Sequence, residues 1–73
     1  MPLKPLPYRE VKRKLEAAGF YEVSIKGSHV KYLKQTDHGT LIAIVPRHRE
    51  LSPGTLRSIL RQAGLSVAEF DDL

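Results

Sequence analysis

Residues 20–45 read FYEVSIKGSHVKYLKQTDHGTLIAIV, and this stretch decides the fold. β-Branched and aromatic residues cluster in three short runs, Phe20 to Lys26, His29 to Lys34 and Leu41 to Val45. Gly27-Ser28 separates the first two runs and Thr36-Asp37-His38-Gly39 the last two, both of them turn compositions. The spacing predicts a three-stranded antiparallel meander. Side chains alternate faces along a strand, so His29 and Lys31 share one face of the second run with Leu33, and Val30, Tyr32 and Lys34 share the other. The third run, Leu41-Ile42-Ala43-Ile44-Val45, is apolar on both faces. One face packs on helices, and the other is open to a partner.

Outward from the meander the period changes to that of helices. Tyr8, Val11, Leu15 and Ala18 recur at helical spacing, Pro7 suits a first helical position and Gly19 a left-handed stop, which predicts a helix over about residues 7 to 18. Its start is less defined than its stop, because no Ser, Thr, Asp or Asn precedes Pro7. On the other side, Ser52 and Pro53 read as cap and first position. Leu56, Ile59, Leu60 and Ala63 then repeat at i, i+3, i+4, i+7 until Gly64, a helix over about residues 53 to 63. Ser66 caps a final short turn through Phe70, which drops an aromatic onto the core. The order is α-β-β-β-α plus a short C-terminal helix. That is an α+β two-layer sandwich of the kind seen in double-stranded RNA-binding domains. No repeat, low-complexity tract or linker interrupts it, so residues 1–73 read as a single domain.

Composition narrows the function classes. With 41% hydrophobic and 27% charged residues the chain is of ordinary globular type rather than disordered. It has no cysteine, so neither a disulfide framework nor a thiolate metal site reinforces so small a core. Met1 to Pro7 holds Lys4 and three prolines but no apolar run of signal-peptide length, and no stretch approaches a membrane span, which points to the cytoplasm and away from membranes. Net charge is +4, with Glu69, Asp71 and Asp72 crowded at the end; residues 1–68 carry twelve bases against five acids, or +7. Such a balance favours an anionic partner, either nucleic acid or an acidic protein.

The chemistry-bearing residues gather around the first turn. Gly27-Ser28-His29 brings an imidazole to a sheet edge beside a residue without a side chain, where a phosphate can approach closely. Ser28 adds a hydroxyl and an N–H, and histidine titrates near neutral pH without perturbation. RNA cleavage needs a base for the 2′-hydroxyl proton, cations for the charged phosphorane and an acid for the 5′-oxygen. Lys26 and Lys31 flank the site and could supply the charge. On spacing alone, the tripeptide reads more simply as a plain turn leading into a strand with a half-exposed histidine. His48, between Arg47 and Arg49, reads as a second proton carrier, a phosphate contact or a solvated loop residue, and His38 beside Asp37 as turn chemistry. No two histidines have the spacing of a metal site, no His-Asp array accompanies Ser28, and no glycine-rich phosphate loop or dinucleotide fingerprint calls for a small-molecule cofactor. Arg9 and Arg13 stand at i, i+4 on the first helix, and Arg57 and Arg61 on the second. Like charges at that spacing do not stabilise a helix, so the pairs suggest a binding face; the alternative is a solvated face, relieved by Glu10 four residues before Lys14.

Taken in order, Ala18-Gly19-Phe20, Gly27-Ser28-His29-Val30-Lys31-Tyr32, Val45-Pro46-Arg47-His48 and Pro53-Gly54-Thr55-Leu56-Arg57-Ser58-Ile59-Leu60-Arg61-Gln62-Ala63-Gly64-Leu65 resemble the HicA toxins of bacterial and archaeal toxin-antitoxin systems. The resemblance covers nearly the whole chain. It implies a double-stranded RNA-binding-like fold, a metal-independent endoribonuclease that cleaves mRNA, and neutralisation by a HicB-type antitoxin. The family's catalytic histidine maps onto His29, and the glycine and serine of its motif onto Gly27 and Ser28. The motif's aromatic position, often phenylalanine, is Tyr32 here. His48 and Lys31 have no role implied by the resemblance and rest on this sequence alone. Two other readings use the same features: a noncatalytic RNA-binding module, and a protein-interaction domain whose apolar sheet face and basic surface meet an acidic partner.

Overall fold

Pro7 leads the chain into helix α1 (Tyr8–Ala17) from an extended conformation, and no side chain caps this start. The helix closes in a hydrogen-bonded turn: the Phe20 N–H donates to the Leu15 carbonyl and the Gly19 N–H to that of Glu16, satisfying acceptors the helix itself cannot. Helix α2 (Pro53–Ala63) begins on Ser52, whose hydroxyl accepts from the Thr55 N–H, and ends in the same turn at Gly64. Helix α3 (Val67–Asp71) starts on a capping box in which Ser66 and Glu69 exchange side-chain and main-chain bonds. These bonds also hold the Glu69 carboxyl below its usual range. The computed structural model describes residues 3–73.

Strands β2 (Tyr21–Lys26), β3 (His29–Thr36) and β4 (Gly39–Pro46) form one antiparallel sheet in that order, as the spacing predicts. The second hairpin is tighter than the sequence implies. Thr36 pairs with Gly39, leaving only Asp37-His38 in the turn, where the Thr36 hydroxyl donates to the Gly39 carbonyl and accepts from the His38 N–H. Strand β2 carries a bulge between Glu22 and Ser24. Strands β1 (Leu6–Pro7) and β5 (Glu50–Leu51) pair antiparallel and tie the entrances of α1 and α2 together. A pairing of two residues has no periodicity to announce it.

All helices lie over one face of the sheet. Val30 and Tyr32 of β3 and Ala43 and Val45 of β4 are fully buried in one cluster with Val11 and Leu15 of α1, Leu56, Ile59 and Leu60 of α2, and Phe70 of α3. The Tyr32 hydroxyl meets that of Tyr8 at 2.6 Å, and burial followed by this bond pushes the Tyr32 phenol up. Lys14 is also buried. Its ammonium donates to the main-chain oxygens of Phe70 at 3.0 Å and Leu73 at 3.2 Å and stands 5.1 Å from the Phe70 ring centre, a cation set against the C-terminal end of α3. On the flank, the Ile44 N–H donates to Gln62 Oε1 at 2.8 Å, so α2 blunts the free edge of β4. Among the described residues, no helix is long and apolar enough to cross a membrane.

Candidate nucleic-acid interface

Gly27-Ser28 is a two-residue turn closed by the register pair Lys26 and His29. Gly27 sits at φ +60°, the sign a type II′ turn requires at its first central position. A Cβ there would meet nothing within 4 Å, so the need for glycine is set by the backbone and not by crowding. Directly opposed residues of antiparallel strands point to the same face. The rows Lys26–His29–Pro46, Ser24–Lys31–Ile44 and Tyr21–Leu33–Ile42 therefore share a face. Val30 and Tyr32 turn inward, so these rows look outward, and Lys26, His29 and Lys31 are exposed.

The chain beyond β4 comes back to the same turn. The Arg47 N–H donates to the Ser28 carbonyl, which holds the start of the Arg47-His48-Arg49 loop beside the turn that carries His29. This bond continues the β3–β4 pairing one step past His29 and Pro46. His38 lies at the far end of the sheet, with the length of β3 between it and His29.

The helical arginines belong to the other layer. Glu10 pairs with Arg13, and not with Lys14 as the relieved-face reading has it, because Lys14 is turned into the core. Arg13 holds the Glu10 carboxyl below its usual range through their hydrogen bonds. Lys12 sits between Glu16 at 3.6 Å and Glu22 at 3.5 Å. Arg9, Arg57 and Arg61 are exposed outside these pairs, on helices packed against the face opposite His29. The structure thus brings together Lys26, Gly27, Ser28, His29, Lys31 and the Arg47 main chain, and leaves the four helical arginines apart. Sequence reasoning passed over Tyr21, which stands 49% exposed on His29's own face, in the same row as Ile42 of the third apolar run at 42%. The alternation of β2 was the available signal.

Among the described residues, no three His, Asp or Glu side chains converge to ligate a metal ion. What the face offers is an accessible imidazole, two ammonium groups in adjoining rows and an unobstructed turn. These can move a proton and balance a phosphate. A family model described as the HicA toxin of bacterial toxin-antitoxin systems matches residues 8–65. The match runs from the first residue of α1 to the residue after Gly64. Comparison with curated proteins returned no match.

Proposed function

The chain belongs to the HicA toxin family, and from that premise we propose that it is an endoribonuclease of mRNA acting through His29. His29 acts as the base or as the acid of a transesterification. A base takes the proton of a ribose 2′-hydroxyl while the 2′-oxygen attacks the adjacent phosphorus. The bond to the 5′-oxygen breaks, and that oxygen receives a proton from an acid, with His48 the candidate for the second proton carrier. The products are a 2′,3′-cyclic phosphate and a 5′-hydroxyl. Lys26 and Lys31 stabilise the phosphorane charge, and Gly27 and Ser28 leave the approach open. The reaction uses no metal and no cofactor. The observation that carries this reading is the shared exposed face of His29 and the two lysines, beside a loop fastened to the Ser28 carbonyl.

A toxin of a toxin-antitoxin system must be silenced until needed. We assign that role to a HicB-type antitoxin that covers His29 or the basic helical arginines. A complex that is inactive yet leaves both accessible contradicts this assignment.

The test is cleavage of end-labelled RNA. His29→Ala should slow it by about 10²- to 10⁴-fold, the usual contribution of a proton-transferring side chain, with folding unchanged because His29 is exposed. Chelator should have no effect, and 2′-deoxyribose at the scissile position should block the wild type. Undiminished cleavage by His29→Ala sinks the mechanism, and RNA retention without new ends leaves a noncatalytic binding module.

A further inference from the structure

We propose that the outer face of the sheet is a platform for single-stranded RNA, on which Tyr21 stacks a nucleobase while the His29 end holds the backbone. The inference rests on the reading of the chain as an RNA-acting toxin and adds the part of the substrate that is recognised away from the scissile bond.

The face has two chemically distinct ends. At one, Lys26, His29 and Lys31 present cations and an imidazole. At the other, Tyr21, Leu33 and Ile42 form an apolar row across the three strands, with the Tyr21 ring half exposed and no helix above it. Val23, in the bulge of β2, is 44% exposed. Leu33 lies four positions beyond His29 on β3, about 13 Å at the rise of a strand. A base about two nucleotides from the scissile phosphate on an extended strand reaches across that distance.

An apolar floor does nothing for a phosphate backbone, whereas every base has a π face that stacks on an aromatic ring. The charge at the His29 end matches the phosphates, so the two ends together fit one polyanion carrying unstacked bases. A duplex does not fit, because its bases are paired and stacked inside the helix and only backbone and groove edges reach a flat surface. The helical arginines of the other layer cannot serve bases on this face.

The test uses a single-stranded oligoribonucleotide, 2′-O-methylated so that it cannot be cleaved, with 2-aminopurine walked one position at a time. The wild type should quench the emission at a limited set of positions. Tyr21→Ala should lose that quenching and bind about fivefold to a hundredfold more weakly, while Tyr21→Phe retains both. The same sequence annealed to its complement should not be quenched. Circular dichroism checks that Tyr21→Ala folds, which its exposure favours. Unchanged quenching and affinity in Tyr21→Ala, or equal quenching by the duplex, overturns the platform and leaves the apolar row to a protein partner. The catalytic reading fails separately. If His29→Ala cleaves as well as wild type but Tyr21-dependent quenching persists, only the role of His29 falls.

Discussion

Arg47 donates its main-chain N–H to the carbonyl of Ser28, so the loop that carries His48 is fastened to the turn that carries His29. The bond depends on the turn holding its shape, and the turn depends on Gly27. Backbone geometry thereby holds the start of the Arg47-His48-Arg49 loop at the His29 end of the sheet.

Gly27→Ala should therefore destabilise the protein by about 1–2 kcal/mol, the cost of a left-handed conformation for a residue with a Cβ. The site is open, so no clash adds to it. Urea unfolding gives the magnitude, and hydrogen exchange at the Arg47 amide should accelerate more than exchange in α2. A loss centred elsewhere contradicts the link between turn and loop.

Lys31→Ala and Arg57→Ala should separate the two layers. Lys31 shares the face of His29, so its loss should slow cleavage and lower the log–log salt slope of single-stranded RNA affinity by about 0.7. Arg57 lies in the helical layer, and Arg57→Ala should leave cleavage of a short oligonucleotide unchanged. Equal losses from both variants place RNA on both layers at once.

Lys14→Met keeps the aliphatic stem but removes the ammonium that α3 leans on. Hydrogen bonds to charged groups contribute about 1.5–3 kcal/mol, and the loss should fall in that range. Amide exchange should show the residues of α3 opening first. Stability equal to wild type means that Phe70 packing alone docks the helix.

Tyr32→Phe tests the hydroxyl pair. Removing one partner of the 2.6 Å bond to Tyr8 should cost about 0.5–1.5 kcal/mol at neutral pH. The Tyr32 pKa is raised in the folded state, so its stabilising contribution is complete below the ordinary tyrosine value of about 10 and is lost as pH rises above it toward the raised value. Thermal unfolding at pH 8 and pH 11 should show a smaller alkaline loss in Tyr32→Phe than in wild type. An equal loss in both assigns the alkaline sensitivity to other groups.

Much of the fold was legible because it rests on local rules. The order of elements, the start of α2 at Ser52-Pro53, the stop at Gly64 and the capping turn at Ser66 all follow from residues within a few positions of one another. Strand alternation likewise assigned His29 and Lys31 to one face and Val30 and Tyr32 to the other. The ion pairing of α1 was not legible: Glu10 faces both Arg13 and Lys14 on a helix surface, and only packing against α3 draws Lys14 inward.

The sequence by itself determined the two-layer α+β order and the family, since periodicity, caps and motif spacing are properties of neighbouring residues. It also determined the Gly27-Ser28-His29 turn, whose conformation glycine makes accessible. Only the tertiary structure decided which surface each cation serves. It turned the face shared by His29 and Lys31 outward, brought the Arg47 loop to Ser28 and sent the helical arginines to the opposite layer. The physical reason is that a sheet has two faces and the apolar core takes one of them. Charges equivalent in a composition become separate surfaces once Val30, Tyr32, Ala43 and Val45 are buried under the helices.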